Sequence, residues 1–439
     1  MTILTFFCIQ LLSHFGNTPP VIEAKSQYQT YTDSLLTIPI AVSDPDGDAV
    51  QIRMEGLPQW LDYHQSGQTI TGIPTEKEEG RHKILLVAHD GQAQSEKEIE
   101  VRVKLSLQKT LENKLDSLFN TITPGLTGVS AAIIGPDKQL AKTALGKRNR
   151  WGFDPAHTDL QDRIASITKT FTAVLTLKLA EEGLLSLDDP ISKYLDIKGI
   201  GNGQKITVFH LLSHTSGMVD HLNRKDFYTG NWQFKNWKAK DLLYYLSRRK
   251  SLFPPGTGYA YSNTAYHLMG EILETATGKT LGKAFEEWIF EPLELKNTFY
   301  DDFSSSRLQI ENLAQNSRSY EYHLSAAGAA GAIVSTPEDV VRFGNMLYAG
   351  KFLNAESMAV MLKDYGTPLG GEEIGLGTRM WEDFGIYHYG HTGSLMDYRS
   401  VLMYIPEKKI CIALSTNQVH RKWYDLVNNL LKEIYLYYQ

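Results

Sequence analysis

Residues 17–104 show short stretches in which apolar and polar side chains alternate, without the periodicity of a helix. Turn-forming residues separate these stretches, for example Asp44–Asp48 and the pair Asp90 and Gly91. Alternation with a period of two residues is typical of strands that bury one face. Several such strands at regular spacing predict an all-β sandwich, with strands at residues 34–42, 50–54, 68–72, 82–89 and 96–103.

The pattern changes after residue 104. Leu107–Asn120 has helical periodicity and predicts a helix that leads into a second domain, residues 105–439. Two further helices are predicted at Ala165–Ala180, with Gly183 as its stop signal, and at Thr264–Glu274. Near the C-terminus, apolar runs separated by turn residues predict three strands, at residues 387–396, 398–405 and 410–417.

A Ser-x-x-Lys motif, Ser166 to Lys169, stands at the start of the second predicted helix. On a helix these two side chains would share one face, about one turn apart. A serine hydroxyl needs a neighbouring base, and a lysine amine can serve if burial or nearby positive charge lowers its pKa. Backbone N–H groups at a helix start can also stabilise an oxyanion. The alternative is that Ser166 only caps the helix and Lys169 is a solvated helix residue.

A second motif, Tyr261-Ser262-Asn263, lies between a Pro-Pro-Gly turn and the third predicted helix. A tyrosine can carry a proton, and the neutral amide of Asn263 can orient both a lysine and a substrate. The alternative is that Ser262 or Asn263 merely caps the helix.

A third motif, His391-Thr392-Gly393, falls on the first of the three C-terminal strands. Because glycine has no side chain, Gly393 would let a substrate backbone lie close to the strand edge. Backbone N–H groups at this edge could complete an oxyanion hole together with that of Ser166.

The three motifs in this order resemble the serine β-lactamase-like superfamily, in the branch of class C β-lactamases, D-alanyl-D-alanine carboxypeptidases and related esterases. Leu211–Gly217, Phe253–Gly256 and Ala326–Asp339 match as well, and the resemblance covers residues from about 107 to 439. It implies a multidomain protein whose second domain has an α/β (α+β) fold, with an antiparallel sheet flanked by helices.

The resemblance also implies a role for each matching residue. Ser166 would be the acylated nucleophile, and Lys169 and Tyr261 would share proton transfer. The backbone N–H groups of Ser166 and Ser394 would form the oxyanion hole. The substrate-binding residues would be Asn263, His391, Thr392, Gly393 and Ser394. No metal and no cofactor is implied.

The third motif departs from the class C pattern, in which a lysine usually stands where this chain has His391. Histidine is mostly neutral near pH 7, whereas lysine is a fixed cation suited to a substrate carboxylate. We therefore expect inefficient β-lactamase activity. Arg379 and Arg399 flank the motif, and either could bind a carboxylate or be an ordinary surface arginine.

The N-terminal segment resembles cadherin-like, immunoglobulin-type modules of the dystroglycan kind. Such modules are typical of secreted, periplasmic or surface proteins, so the resemblance implies export and association with the cell surface through this module. Residues 1–16 are a candidate signal segment because residues 3–12 are apolar, although a positive n-region is absent. A first strand or a misassigned start is the alternative. The matching stretches are Asn17–Val21, Asp44–Asp48, Leu57–Leu61, Thr69–Thr75 and Ala88–Gly91.

Composition and charge argue against several classes of function for this protein. A net charge of −6 argues against a protein that binds nucleic acid, and no stretch reaches the length of a transmembrane helix. Cys8 and Cys411 stand in unrelated contexts, so no disulfide is expected. Asp44–Asp48 is interpreted as an acidic turn, with a weak Ca²⁺ site as the alternative. His210 and His214 are interpreted as structural rather than zinc ligands.

The sequence therefore predicts a serine hydrolase that acts through an acyl-enzyme on an amide or ester, most similar to D-alanyl-D-alanine carboxypeptidases or esterases. The partner is a small-molecule or peptide substrate, and a peptidoglycan stem peptide is one candidate. The alternative is a non-catalytic penicillin-recognising or adhesive binding protein with a degenerate site. The three motifs, intact apart from the histidine variant, favour the enzyme.

Overall fold

The computed structural model describes residues 16–148, 153–222, 235–302, 324–366 and 372–439. The chain divides into two compact units, Met1–Lys109 and Thr110–Gln439. Most of the candidate signal segment lies outside the described residues. None of the described helices combines the length and the apolar character that crossing a bilayer requires.

The N-terminal unit is built from strands, and its predicted all-β fold is confirmed. A four-stranded sheet has the order β2-β9-β8-β5, a three-stranded sheet has the order β3-β7-β6, and β1 pairs with β4. Ile38, Ile70, Ile84 and Ile99 are fully buried in the core of this unit. The strands are β1 (Val21–Glu23), β2 (Gln27–Tyr31), β3 (Leu36–Pro39), β4 (Ala41–Ser43), β5 (Gln51–Glu55), β6 (Leu61–His64), β7 (Thr69–Gly72), β8 (Gly80–His89) and β9 (Gln94–Lys104).

The acidic stretch Asp44–Asp48 of this unit forms a turn. Asp44 Oδ1 accepts hydrogen bonds from the backbone N–H groups of Asp46 and Asp48, at 2.8 and 3.2 Å. Among the residues that the structure describes, no group of three or more His, Cys, Asp or Glu side chains is arranged to hold a metal ion.

The second unit is organised around a seven-stranded antiparallel sheet with the order β11-β10-β19-β18-β17-β16-β15. A small antiparallel sheet has the order β12-β14-β13. The predicted antiparallel sheet is confirmed. The strands of the second unit, in both sheets, are β10 (Gly128–Ile134), β11 (Leu140–Gly146), β12 (Asp162–Arg163), β13 (Phe299–Tyr300), β14 (Ile333–Ser335), β15 (Glu373–Ile374), β16 (Arg379–Asp383), β17 (Ile386–Leu395), β18 (Tyr398–Ile405) and β19 (Ile410–Thr416).

Helices flank the large sheet. The helices are α1 (Leu107–Ile122), α2 (Thr168–Glu181), α3 (Val208–Leu212), α4 (Ala239–Ser247), α5 (Asn263–Thr277), α6 (Leu281–Phe285), α7 (Pro337–Tyr348), α8 (Ala355–Met361) and α9 (Trp423–Tyr437). Helix α7 packs on β10, β18 and β19. This packing is close because Gly344 has no side chain: a Cβ there would lie 2.6 Å from Leu402 Cδ1 and 3.0 Å from Cys411 Sγ.

Helix α2 lies in the core, with Phe171 and Val174 fully buried. Its predicted stop at Gly183 is confirmed. Gly183 has a φ of +70°, and the N–H of Leu184 bonds the carbonyl of Leu179, which satisfies a carbonyl at the helix end.

Candidate active site

Ser166 does not cap helix α2. It lies in a short 3₁₀ turn, Ala165–Ile167, that directly precedes the helix, and no side chain caps the helix start. Ala165 has a φ of +50°, a left-handed conformation that a non-glycine residue adopts at a cost of roughly 1–3 kcal/mol. Such strain is typical of functional sites, and here it belongs to the turn that carries the candidate nucleophile.

Strand β17 supports this turn from one side. A Cβ at Gly393 would lie 2.3 Å from the carbonyl oxygen of Ile164 and 2.0 Å from Ser400 Oγ. Ser400 Oγ donates a hydrogen bond of 2.8 Å to that same carbonyl. Gly393 is therefore needed so that the strand can approach the turn, whereas the sequence suggested that it makes room for a substrate backbone.

Lys169 is fully buried in helix α2, which excludes the alternative of a solvated lysine. Its Nζ lies 3.1 Å from Ser166 Oγ, 2.8 Å from Asn263 Oδ1 and 2.8 Å from the carbonyl oxygen of Ala330. Burial lowers the pKa of Lys169 to about 7, although the negative charge of Asp220 opposes this shift. A large fraction of this lysine is therefore neutral at physiological pH and can act as a base.

Asn263 begins helix α5, while Ser262 takes the capping role and accepts the N–H of Ala265 at 3.1 Å. The amide of Asn263 is thus free to contact Lys169. Its Nδ2 donates to Asp220 Oδ2 at 2.8 Å. Because Nδ2 can only donate and Asp220 Oδ2 accepts from it, Asp220 sets the orientation of the amide and turns Oδ1 towards Lys169.

Asp220 is a residue that the sequence reasoning missed. Its side chain is 7% exposed, and burial raises its pKa, while the N–H groups of Leu222 and Asn263 and the charge of Lys169 favour the ionised form. The local signal is its position three residues after the family stretch Leu211–Gly217. Nothing in the sequence pairs it with Asn263, 43 positions away.

Tyr261 lines the cleft together with Ser166. Burial raises the pKa of Tyr261, so its phenol stays protonated. The ring lies 4.8 Å from Lys169 Nζ and 4.5 Å, between centroids, from the ring of His214. His214 in turn accepts the backbone N–H of Ser262 at 3.1 Å, which matches its interpretation as structural.

His391 is buried, and this burial, with Lys169 and Arg379 nearby, lowers its pKa to about 3. The imidazole is therefore neutral at physiological pH. Its Nδ1 lies 2.7 Å from the carbonyl oxygen of Thr392. Since a carbonyl only accepts, Nδ1 carries the hydrogen and Nε2 is an acceptor, which is unsuited to a carboxylate.

The two candidate arginines differ in position. Arg379 on β16 lines the same cleft as Ser166, donates from Nη1 to Thr392 Oγ1 at 2.9 Å, and contacts Glu372 through Nε and Nη2. Arg399 instead donates to the backbone carbonyls of Met396 and Tyr398, at 2.9 and 2.7 Å. Arg379 is thus the arginine available to a ligand, and its partner Glu372 is a second residue that the sequence reasoning missed.

These side chains meet in one cleft of about 530 Å³. It contains each candidate catalytic or substrate-binding residue that the sequence singled out except Lys169, which lies beneath it, and Gly393, which packs on the turn. Ser394 lies at its exposed edge. The cleft residues named in the sequence analysis are Ser166, Tyr261, Asn263, Arg379, His391, Thr392 and Ser394.

Comparisons with known proteins agree with this geometry. D-alanyl-D-alanine-carboxypeptidase/endopeptidase AmpH of Escherichia coli is 29% identical over 242 residues, which are 54% of this chain and 61% of that protein. Esterase EstB of Burkholderia gladioli is 28% identical over 218 residues, which are 46% of this chain and 54% of the esterase. The chain therefore spans a little over half the length of these curated relatives.

Among solved structures, D-amino acid amidase from Ochrobactrum anthropi is similar with a TM-score of 0.66 and 27% identity, over 74% of this chain and 99% of the amidase. Residues 19–104 match the family model described as Putative Ig domain. Residues 108–436, which carry all three motifs and the whole cleft, match the model described as Beta-lactamase. The fold, the converging motifs and this match over most of the chain agree, and the chain belongs to the Beta-lactamase family.

Proposed function

We propose that this protein is a serine hydrolase that transfers an acyl group from an amide or ester to Ser166 and then to water. The observation that carries the proposal is the position of a buried lysine, with a pKa near 7, at 3.1 Å from the serine hydroxyl. A serine becomes a useful nucleophile when such a base can take its proton.

The contacts of Lys169 support its role as that base. A neutral amine has two N–H bonds and one lone pair. Asn263 Oδ1 and the Ala330 carbonyl can only accept, so they take the two N–H bonds. The lone pair is then left for the hydroxyl of Ser166. In the acylation step the Ser166 proton moves to Lys169 while Oγ forms a bond to the substrate carbonyl carbon.

Tyr261 is proposed to protonate the leaving group. Burial favours its protonated form, so it can give a proton to the departing nitrogen or oxygen as the bond to the acyl carbon breaks. The proton held by Lys169 then restores Tyr261, and the enzyme keeps its net charge. Deacylation repeats these transfers in reverse, with water in place of the leaving group. Backbone N–H groups of Ser166 and Ser394, both at the cleft, would stabilise the oxyanion.

The relatives support amide and ester substrates, since their names include a carboxypeptidase, an esterase and an amidase. A D-alanyl-D-alanine peptide from peptidoglycan is one candidate, and Arg379 with Thr392 would be its carboxylate site. A neutral ester or amide is the other candidate, which the neutral state of His391 favours.

Acylation by an active-site probe tests the proposal. Intact-protein mass spectrometry after treatment with a fluorophosphonate or a penicillin should detect one adduct on the wild type and none on Ser166→Ala. Lys169→Met should lower kcat for p-nitrophenyl butyrate by several orders of magnitude, as loss of one member of a catalytic unit does. Lys178→Met is the matched control, because Lys178 lies on the same helix but pairs with Glu181, and neither residue lines the cleft.

Two outcomes contradict the proposal in different ways. An adduct that survives Ser166→Ala places the nucleophile elsewhere. An adduct that forms on Ser166 but never turns over, with any ester or amide, favours the penicillin-recognising binding protein instead.

We propose further that the protein acts outside the cytoplasm and that its Ig-like unit, of the cadherin-like kind, associates with the cell surface. Support comes from the nature of such modules and from the apolar run near the N-terminus. Cell fractionation of the full chain and of a chain without residues 17–104 tests this. Equal recovery of both forms in the soluble cytoplasmic fraction would exclude it.

A further inference from the structure

The Arg379 guanidinium already holds a carboxylate of the chain itself. Nε and Nη2 both contact Oε2 of Glu372, while Nη1 donates to Thr392 Oγ1 at 2.9 Å. A guanidinium fork matches a carboxylate in shape and charge, and this is the interaction that a substrate carboxylate would need. Glu372 and a substrate carboxylate would therefore compete for the same N–H groups.

The backbone brings the pair together at the cleft. Glu372 directly precedes β15, and β15 pairs with β16, with Ile374 opposite Arg379. Strand β16 in turn pairs with β17, which carries Thr392. Glu372, Arg379 and Thr392 all line the cleft that contains Ser166. The pair is thus part of the substrate site.

No second cation in the described lining of the cleft can replace Arg379. His391 is neutral, because burial and nearby positive charges lower its pKa to about 3. Lys169 lies beneath the cleft, and its contacts are taken by Ser166, Asn263 and Ala330. Within the described lining, a carboxylate that enters the cleft can therefore pair only with Arg379, which Glu372 already occupies.

We propose that Glu372 acts as an internal carboxylate that occupies Arg379, so that the site selects substrates with an uncharged leaving group over substrates that end in a free carboxylate. The inference rests on the proposed hydrolase function and narrows its substrates to neutral amides and esters. The pair is partly exposed, at 27% for Arg379 and 32% for Glu372, so a substrate carboxylate can displace Glu372 at a cost in affinity.

Glu372→Gln tests the proposal because it removes the competing charge and keeps the side-chain shape. The assay compares two substrates with one acyl group, whose leaving groups are D-alanine and D-alaninamide. We expect the acid-to-amide ratio of kcat/KM to rise about tenfold, the effect of one added charge-assisted hydrogen bond, mainly through KM of the acid. In the double variant Glu372→Gln with Arg379→Gln, the ratio should return to or below that of the wild type.

Glu373→Gln is the matched control. Glu373 is the next residue along the chain, it is exposed, and it accepts a hydrogen bond of 2.9 Å from Tyr387 instead of contacting Arg379. Its replacement removes the same charge from the neighbouring position and should leave the ratio unchanged. An equal rise in both variants would mean that general charge, and not occupation of Arg379, sets the preference, and it would overturn the proposal.

A binding measurement separates this inference from the proposed function. In the Ser166→Ala background, calorimetry gives the dissociation constants of N-acetyl-D-alanine and N-acetyl-D-alaninamide with and without Glu372→Gln. About tenfold tighter binding of the acid alone supports the inference even if no substrate is ever hydrolysed, in which case only the proposed function fails. Unchanged or weaker binding of the acid overturns the inference even if the enzyme is active.

Discussion

Replacing Asp220 by asparagine should move the pH dependence of catalysis at the cost of one hydrogen bond, because Asp220 Oδ1 accepts the N–H of Leu222 and an asparagine has a single side-chain oxygen. The substitution keeps an oxygen that can accept the Nδ2–H of Asn263, so Asn263 can still orient Lys169. It removes the negative charge that raises the pKa of Lys169 against the effect of burial. Because Ser166 needs the neutral amine, kcat/KM in the wild type should increase with pH through a midpoint near 7.

The size of the shift follows from the geometry. Lys169 Nζ is 2.8 Å from Asn263 Oδ1, and Asn263 Nδ2 is 2.8 Å from Asp220 Oδ2. The two charges are therefore roughly 6–7 Å apart, which at an effective dielectric of about 20 corresponds to about 2.5 kcal/mol. One pKa unit is about 1.4 kcal/mol, so the variant should lower the pKa of Lys169 by about 1–2 units. Activity should then persist to lower pH than in the wild type.

The assay is the pH profile of kcat/KM for a neutral ester, so that ionisation of the substrate does not contribute. Asp188→Asn is the control, because Asp188 is exposed and its loss changes the net charge equally. A profile that stays in place, or that moves to higher pH, would refute the reasoning: the acid limb would then belong to a group other than Lys169. A loss of kcat without a shift would mean that Asp220 acts only by orienting Asn263.

Three further predictions concern the substrate, the domains and stability. His391→Lys should raise the kcat/KM ratio of nitrocefin to p-nitrophenyl butyrate by a few-fold to about a hundredfold, since an added cation is worth ~1–3 kcal/mol to a carboxylate; an unchanged ratio would mean that position 391 does not face the carboxylate. A chain that begins at Leu105 should keep ester hydrolysis per folded molecule, because every lining residue of the cleft lies at or after residue 165; a product that is folded by circular dichroism but inactive would contradict this. Burial raises the pKa of Asp162 to about 7, and a raised carboxyl pKa means stability that is present at low pH and lost as the pH rises towards 7. Between pH 5 and the folded pKa of about 7 lie two pH units, each worth about 1.4 kcal/mol. Asp162→Asn should therefore raise Tm more at pH 8 than at pH 5, with a difference of at most about 3 kcal/mol in unfolding free energy, while Asp159→Asn, at a side chain that is 60% exposed, should not.

Local patterns predicted the elements well. Helix α2 ends at Gly183 as expected, and the three C-terminal strands lie within about two residues of their predicted positions. In the N-terminal unit the runs predicted at 50–54, 68–72, 82–89 and 96–103 became β5, β7, β8 and β9, while the single strand predicted at 34–42 is divided into β3 and β4, which pair with different strands. The strands β1, β2 and β6 were not predicted.

The roles of Asp220, Glu372 and Gly393 could not be predicted from the sequence, because they depend on contacts that only the fold creates. Asp220 and Glu372 act through Asn263 and Arg379, which are 43 and 7 positions away, and no periodicity links either pair. The contacts of Gly393 could not be predicted from local patterns either. A glycine on a strand indicates a close approach of backbone, but only the fold shows that the approaching groups are the Ile164 carbonyl and the Ser400 hydroxyl.

Burial gives the reacting groups of this site their protonation states, and this has a consequence for selectivity. Lys169 is partly neutral, and His391 is neutral, because burial lowers both pKa values, while burial raises the pKa of Tyr261 and keeps it protonated. Acyl transfer can therefore begin without a net charge on these three side chains. Among the described residues that line the cleft, the fixed charges are those of Arg379 and Glu372, which cancel as long as they stay paired. A substrate carboxylate would break that balance and a neutral amide or ester would not. Under our two proposals, the same burial that prepares Lys169 as a base would therefore let the state of one ion pair decide which leaving groups the site accepts.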